Sequence, residues 1–297
     1  MSDQQTVICI GSMLWDIIGR SSASMRVGAD VPGRITRIPG GVAMIIAMTL
    51  RRFGMEPVLL TAIGRDPEGD ELVNSAQKMG MNTDYVYRSQ DLPTDRYMAI
   101  EGANGLIAAI ADAHSLEAAG DKILTPLIDG RLGAHDAPYS GQIALDGNLT
   151  TELLTDISKS PAFAAADLRV APASPGKAER ILPLTQCANA TIYVNLEEAG
   201  LLCQQTFGSA PEAAERLLKL GAAEALVTNG GKTAAHATSD DVLTAEPPEV
   251  LVTRVTGAGD TFMAAHMAAQ SRGEAGQKAL EAALKAAAAY VSGDVAL

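Results

Sequence analysis

Short runs rich in β-branched and apolar residues, at positions 6–10, 58–63, 142–145, 191–194 and 225–228, recur along the chain with helical stretches between most of them. Such alternation predicts strands of a mostly parallel sheet in a βα-layered domain. After Gly40-Gly41, the residues Val42, Ile45, Ile46, Thr49, Leu50 and Phe53 repeat at three- and four-residue spacing until Gly54, which predicts an amphipathic helix. Further helices are expected from about 258 to 272 and over the Ala-rich stretch 275–291. Two regions break the alternation. Positions 19–38 carry scattered Gly, Pro and Ser with little helical period, and 97–100 and 106–110 are β-like runs around Glu101-Gly102-Ala103-Asn104-Gly105. Asn104-Gly105 supplies positive-φ residues for a tight turn, so the second region reads as a hairpin. The simplest organisation is one domain over 1–297, with lid segments at about 12–39 and 94–112 that form a small β-lid over the sheet's edge.

Composition narrows the partners. Against 23 Lys and Arg stand 35 Asp and Glu, a formal charge of −12 without a basic patch, which argues against nucleic-acid and anionic-membrane binding. No run of 18 apolar residues exists, and the polar start Ser2-Asp3-Gln4-Gln5 passes into an apolar run without the regions of a signal peptide, so a cytoplasmic enzyme is expected. Cys9, Cys187 and Cys203 are too scattered for a disulfide framework or a metal spacing and are expected to be buried small hydrophobes. His114, His135, His236 and His266 are likewise isolated along the sequence.

The main chemical signal is Val255-Thr256-Gly257-Ala258-Gly259-Asp260-Thr261-Phe262, where a β-run at 250–252 leads into small residues and then a helix. Unobstructed backbone N–H groups at a helix start cradle negative charge, with help from the helix dipole. Asp260 would project from the first turn of that cradle, where a carboxylate is costly unless it takes a proton from an attacking hydroxyl. Read alone, the same spacing also serves as an ordinary helix cap.

Thr256-Gly257-Ala258-Gly259-Asp260-Thr261-Phe262 resembles the C-terminal signature of the ribokinase/PfkB carbohydrate kinase family, and Pro39-Gly40-Gly41-Val42-Ala43 resembles its N-terminal Gly-Gly signature. Between them, Gly11-Ser12 with Asp16, Gly64-Arg65-Asp66-x-x-Gly69, Asn195-x-x-Glu198 and Thr228-Asn229-Gly230 resemble further family motifs in the family's order. The resemblance implies a ribokinase-like three-layer α/β/α sandwich with a mostly parallel central sheet and a small β-lid. It implies an ATP-dependent kinase with Asp260 as catalytic base and Gly257, Ala258 and Gly259 as its anion turn. The acceptor would lie between Asp16, Gly40, Gly41 and Asp112, and ATP along Asn195, Thr228, Gly230, Thr256, Gly257 and Gly259. Glu198 would hold Mg²⁺, mainly through water. Taken without its neighbours, the Asn195–Glu198 pair also fits a helix cap. Within the family, Gly40–Ala43, Ile110-Ala111-Asp112, Pro172-Ala173-Ser174 with Lys177, and 255–260 look most like pseudouridine kinases; Asp112 and Lys177 equally fit solvated surface charges. A ribokinase- or ketohexokinase-like sugar kinase, and a catalytically weak sugar or nucleoside sensor, are the alternatives. A homodimer through the lid edges is a further expectation.

The chain departs from the family pattern at two places. Ile45, with Met44 beside it, stands where the family carries an Asn that bonds substrate hydroxyls. Arg254-Val255 stands where many relatives hold potassium with Asp-Thr, so potassium dependence is not expected here.

Overall fold

The apolar run at the start of the chain becomes β1 (Thr6–Ile10), a strand whose alternate side chains enter two cores. Ile8 and Ile10 pack into one and Val7 and Cys9 into the other, all fully buried. Each such side chain contributes about 1.5–3 kcal/mol by leaving water. Two cores on opposite faces of one strand mean that helices cover the sheet on both sides, the three-layer arrangement of a ribokinase-like fold. The structure is a computed structural model that describes residues 5–294; Ser2, Asp3 and Gln4 of the polar start lie outside the described residues.

After β1 come β2 (Leu14–Arg20), β3 (Arg34–Gly40), α1 (Val42–Arg52), β4 (Glu56–Leu60), β5 (Ala62–Gly64), α2 (Pro67–Lys78), β6 (Tyr87–Ser89), β7 (Arg96–Gly102), β8 (Gly105–Asp112) and α3 (His114–Ala119). The second half runs β9 (Gln142–Asp146), α4 (Thr151–Lys159), β10 (Asp167–Ala171), β11 (Ala190–Asn195), α5 (Leu196–Cys203), α6 (Ala210–Leu220), β12 (Glu224–Asn229), β13 (Lys232–Thr238), β14 (Val242–Ala245), α7 (Ala258–Ser271) and α8 (Gln277–Ser292). The main sheet has eight strands in the order β14-β13-β12-β11-β10-β9-β1-β4. All pairs from β12 to β4 are parallel, and β13 and β14 are antiparallel. Parallel strands end at the same edge of the sheet, where ligands of open α/β folds bind.

Three sequence expectations change. The run at 58–63 is two strands, because β5 leaves the main sheet after Thr61 to pair with β6. Positions 250–252 are not a strand: they pair with no neighbour, and Leu251 is 82% exposed. Cys187 and Cys203 are half-buried, and only Cys9 is fully buried.

The second region forms a separate four-stranded sheet, β3-β2-β7-β8. Residues 19–38, irregular by composition, hold the end of β2 and most of β3, two strands paired over seven residues. The hairpin β7–β8 is present, but its positive φ falls on Gly105 alone (φ 95°), with Ala103 and Asn104 as an ordinary turn. Asp66 of the Gly64–Gly69 motif is structural. It caps α2 by accepting from Gly69 N (2.7 Å) and also accepts from Thr94 N and Thr94 Oγ1 (both 2.7 Å), which fixes the chain entering β7.

Two histidines isolated in sequence meet in the core, with the His236 and His266 rings 5.3 Å apart. His266 Nδ1 is 2.8 Å from Tyr193 Oη, to which Arg169 Nη1 donates at 2.9 Å. This chain of contacts ties α7 to β10 and β11 and so fixes the helix that carries Asp260.

Candidate active site

A cleft of about 710 Å³ opens at the carboxyl ends of β1, β10, β11 and β12, beneath the inner face of the four-stranded sheet. Asp16, Gly41, Asn195, Glu198, Thr228, Gly230, Thr256, Gly257, Ala258, Gly259 and Asp260 all line it. Thus most candidates spread over 245 residues of sequence share one cavity. Val255 and Ile45 line it too.

Gly257 takes φ 88° at the amino end of α7, a conformation that favours glycine. A Cβ at this position would sit 2.5 Å from Tyr290 Oη, and that hydroxyl donates to Thr256 O at 2.9 Å. Behind it, Arg254 lies 4.0 Å from the Tyr290 ring centre and its Nε donates to Tyr290 O at 2.7 Å. The anion turn is therefore buttressed by α8 through a guanidinium and a phenol. No side chain caps α7, and the amides of Gly257, Gly259 and Asp260 at its start, without an acceptor among the described residues, are available to a ligand in the cavity.

Asp260 is half-buried in that turn, and its pKa is pushed up to about 8 by burial, with the charges of Asp146, Glu198 and Asp16 adding to the shift. Asp16 is 9% exposed, and burial pushes its pKa up to about 6. A Cβ on Gly40 would lie 2.0 Å from Asp16 Oδ2, so Gly40 acts by leaving room for that carboxylate.

The Asn195–Glu198 pair is a full capping box on α5: Glu198 N donates to Asn195 Oδ1 (2.9 Å) and Asn195 N to Glu198 Oε2 (2.8 Å). Capping and cleft lining coexist, because the cap sits at the strand end that borders the cavity. Burial pushes the Glu198 pKa up to about 7. No three His, Cys, Asp or Glu side chains form a metal cage among the described residues. Glu198, with Oε1 without a hydrogen bond among the described residues, suits an ion such as Mg²⁺ that keeps most of its own water.

Asp112 does not join the cleft. Ala111 and Ala113 line it, whereas the Asp112 carboxylate is exposed and pairs with His114 Nδ1 at 2.9 Å. Strand alternation puts position 112 on the face opposite its neighbours. Lys177, half-buried, does line the cleft and donates to Asn148 Oδ1 at 2.6 Å. Sequence reasoning missed Asp146 and Asn148, which hold the Gly11-Ser12 turn from beneath: Asn148 Nδ2 donates to Ser12 Oγ at 2.9 Å. Their signal was a carboxylate ending the apolar run Ile143-Ala144-Leu145, although Asp-Gly-Asn reads equally well as turn chemistry.

The family profile of pfkB carbohydrate kinases matches residues 4–294. The chain belongs to the pfkB family of carbohydrate kinases. Among pfkB relatives, it is 31% identical over 156 residues to the uncharacterized sugar kinase YeiI of Escherichia coli, covering 52% of this chain and 41% of that one. It is 25% identical over 248 residues to a pseudouridine kinase of Arabidopsis thaliana, covering 76% and 64%. The chain thus spans less than two thirds of the length of either relative. The pfkB fold is also that of a solved E. coli putative ribokinase II in complex with ATP and Mg²⁺ (TM-score 0.77, 16% identity, covering 97% of this chain and 93% of that one).

Proposed function

We propose that the protein is an ATP-dependent kinase that transfers the γ-phosphoryl group of Mg·ATP to a primary hydroxyl of a nucleoside or sugar. The observation that carries this reading is the joint placement of Asp260, the uncapped α7 turn and Asp16 in one cleft. Asp260 takes the acceptor hydroxyl proton, and the amides of Gly257, Gly259 and Asp260 receive the charge that develops on the phosphoryl oxygens. Asp16, given space by Gly40, orients the acceptor. The nucleotide lies along Asn195, Thr228, Gly230 and Thr256. Glu198 would hold Mg²⁺ through water, and the ion supplies charge neutralisation on the phosphates. The whole chain acts as one kinase domain, with the lid segments at about 12–39 and 94–112.

The relatives support pseudouridine, converted to its 5′-phosphate, as the first acceptor to try. Ile45 favours a second reading: it is 6% exposed at the cleft where the resemblance expects an amide, so a hydroxyl arriving there would lose a partner, at about 1–3 kcal/mol. That would suit a ligand-binding member with weak turnover. ADP release from Mg·ATP in the presence of pseudouridine, uridine, adenosine, ribose or fructose separates the two. Turnover with one acceptor class supports the kinase; ATP binding with silence across the panel supports the sensor.

In the same assay, rates in sodium and potassium buffers should be equal. The fixed Arg254 guanidinium beside the anion turn supplies positive charge without a monovalent ion. Strict dependence on potassium would sink this assignment.

The outer face of the lid exposes Ile35, Met98, Ile100 and Ile110, and β3 and β8 are open edges. A second copy of the chain would cover both features. Sedimentation should find a dimer that Ile110→Lys converts to a monomer with activity per cleft retained. A wild-type monomer at the same concentration would end this proposal.

A further inference from the structure

The kinase reading leaves open what kind of acceptor enters, and the following inference rests on that reading. Helices α1, α5 and α7 bring their amino ends to the same cleft; α5 is closed by its own capping box, and the first turns of the other two differ. At α1 every early amide is taken. Val42 N donates to Ser12 Oγ (2.8 Å), Ala43 N to Asp146 Oδ2 (3.2 Å) and Met44 N to Ser12 O (3.2 Å). Ser12 Oγ also accepts from Asn148 Nδ2 (2.9 Å), which fills its lone pairs, so its own hydroxyl donates to Asp146 Oδ2 (2.9 Å). Asp146 is fully buried and further accepts from Ser12 N (2.7 Å) and Asn148 N (2.6 Å). Four donors converge on it, the arrangement that suits an ionised carboxylate, although burial itself pushes its proton affinity upward. Gly11 completes the fit, since a Cβ there would lie 2.2 Å from Asp146 Oδ2. At α7, by contrast, the amides of Gly257, Gly259 and Asp260 have no protein acceptor among the described residues. The single Lys or Arg that lines the cleft among the described residues, Lys177, is already bonded to Asn148.

We propose that Asp146 and Ser12 are positioning residues that fix the acceptor end of the cleft for a neutral, hydroxylated compound and refuse one that already carries a phosphate. The amino end of α1, a ready seat for an anion in other settings, is closed from within by a protein carboxylate. Asp16 adds a second carboxylate on the open side. The one remaining anion seat, at α7, is needed by the phosphoryl group in transfer.

The test measures ADP release by the full chain with ribose against ribose 1-phosphate and with fructose against fructose 6-phosphate, in the wild type, Asp146→Asn, Ser12→Ala and Ser12→Thr. For each sugar the phosphorylated form should show a kcat/KM at least about 100-fold lower. Asp146→Asn and Ser12→Ala should raise the neutral acceptor's KM about tenfold with the ATP KM unchanged, while Ser12→Thr, which keeps the hydroxyl, stays near wild type. A phosphorylated sugar used as well as its neutral form, or acceptor and ATP constants rising together, would overturn the inference. Should Asp146→Asn not fold, the two Ser12 variants carry the comparison. Amide hydrogen exchange at Val42, Ala43 and Met44 should be about tenfold faster in Ser12→Ala, with α7 unaffected. Unchanged exchange there would refute the positioning role even in a protein that releases no ADP, and such silence in the wild type would count against the kinase reading alone.

Discussion

Replacing Asp260 with Asn should lower turnover by about 10²–10⁴-fold, the range for a lost general base, while ATP binding changes little. Asn keeps the volume of the side chain and cannot accept the acceptor's proton. The direction of the pH dependence follows from the raised pKa. In the free protein Asp260 holds its proton until about pH 8, so the base form, and with it kcat/KM, should climb about tenfold per unit below that value and level off above it. Glu198 and Asp16 share the cleft, and their own shifts to about 7 and about 6 make the lower part of that limb steeper. In Asp260→Asn the step near pH 8 should disappear from the residual activity. Near-normal turnover in this variant, or a limb that persists at the same pH, would remove the assignment of Asp260 as base.

The second large effect is expected at the other end of the cleft. Asp16→Ala should lower kcat/KM for the acceptor by about 10²-fold, the loss of charged hydrogen bonds to its hydroxyls, with the KM for ATP unchanged. Gly40→Ala should reproduce much of this without touching the carboxylate chemically, because its new methyl group would occupy the space 2.0 Å from Asp16 Oδ2 and turn the side chain away. Steady-state kinetics with each substrate varied in turn checks both. An acceptor KM that stays at the wild-type value in Asp16→Ala would place the acceptor elsewhere in the cleft.

The parts of the fold that the sequence made plain are those in which one local rule governs. The helix after Gly41 has an uninterrupted three- and four-residue apolar period, and α7 and α8 sit within two residues of their expected bounds. Strands β1, β9, β11 and β12 lie between two layers of helices and so read as apolar runs. Strand β10 did not, because Arg169 interrupts its pattern, and its contacts with Asp167, Tyr193 and Gln270 explain how a guanidinium 6% exposed is tolerated in the core. The lid strands β2 and β3 carry Gly19, Pro39 and charged residues, since one face of that sheet is open to water. The β-branched stretch at 250–252 misled in the opposite sense: propensity favours a strand, but no neighbouring edge is there to pair with it.

At the candidate site, ordered motifs located Asp260, Asp16, Glu198 and the two Gly-rich turns, because each carries its chemistry within a few residues. Asp146 remained hidden since its partners, Ser12 and Ala43, are 134 and 103 positions away. Side-chain direction was also out of reach: Asp112 and Lys177 had equal standing in the sequence, and only the register of β8 and the contact with Asn148 separate them.

The cap on α1 is drawn from two distant stretches of the chain, at Ser12 and at Asp146, and this bears on how the protein comes into being. During synthesis, β1, β4 and α1 emerge early and can associate, yet α1 lacks its carboxylate until β9 has been made and slotted beside β1. A nascent chain shorter than about half its length therefore has a helix whose Ala43 amide lacks its acceptor, and the proposed acceptor end of the cleft is unfinished. Contacts of such long sequence separation form late, after the entropy of closing the intervening loop has been met. The acceptor end of the proposed pocket is thus finished only when β9 stands beside β1, and acceptor binding would report that this pairing has formed.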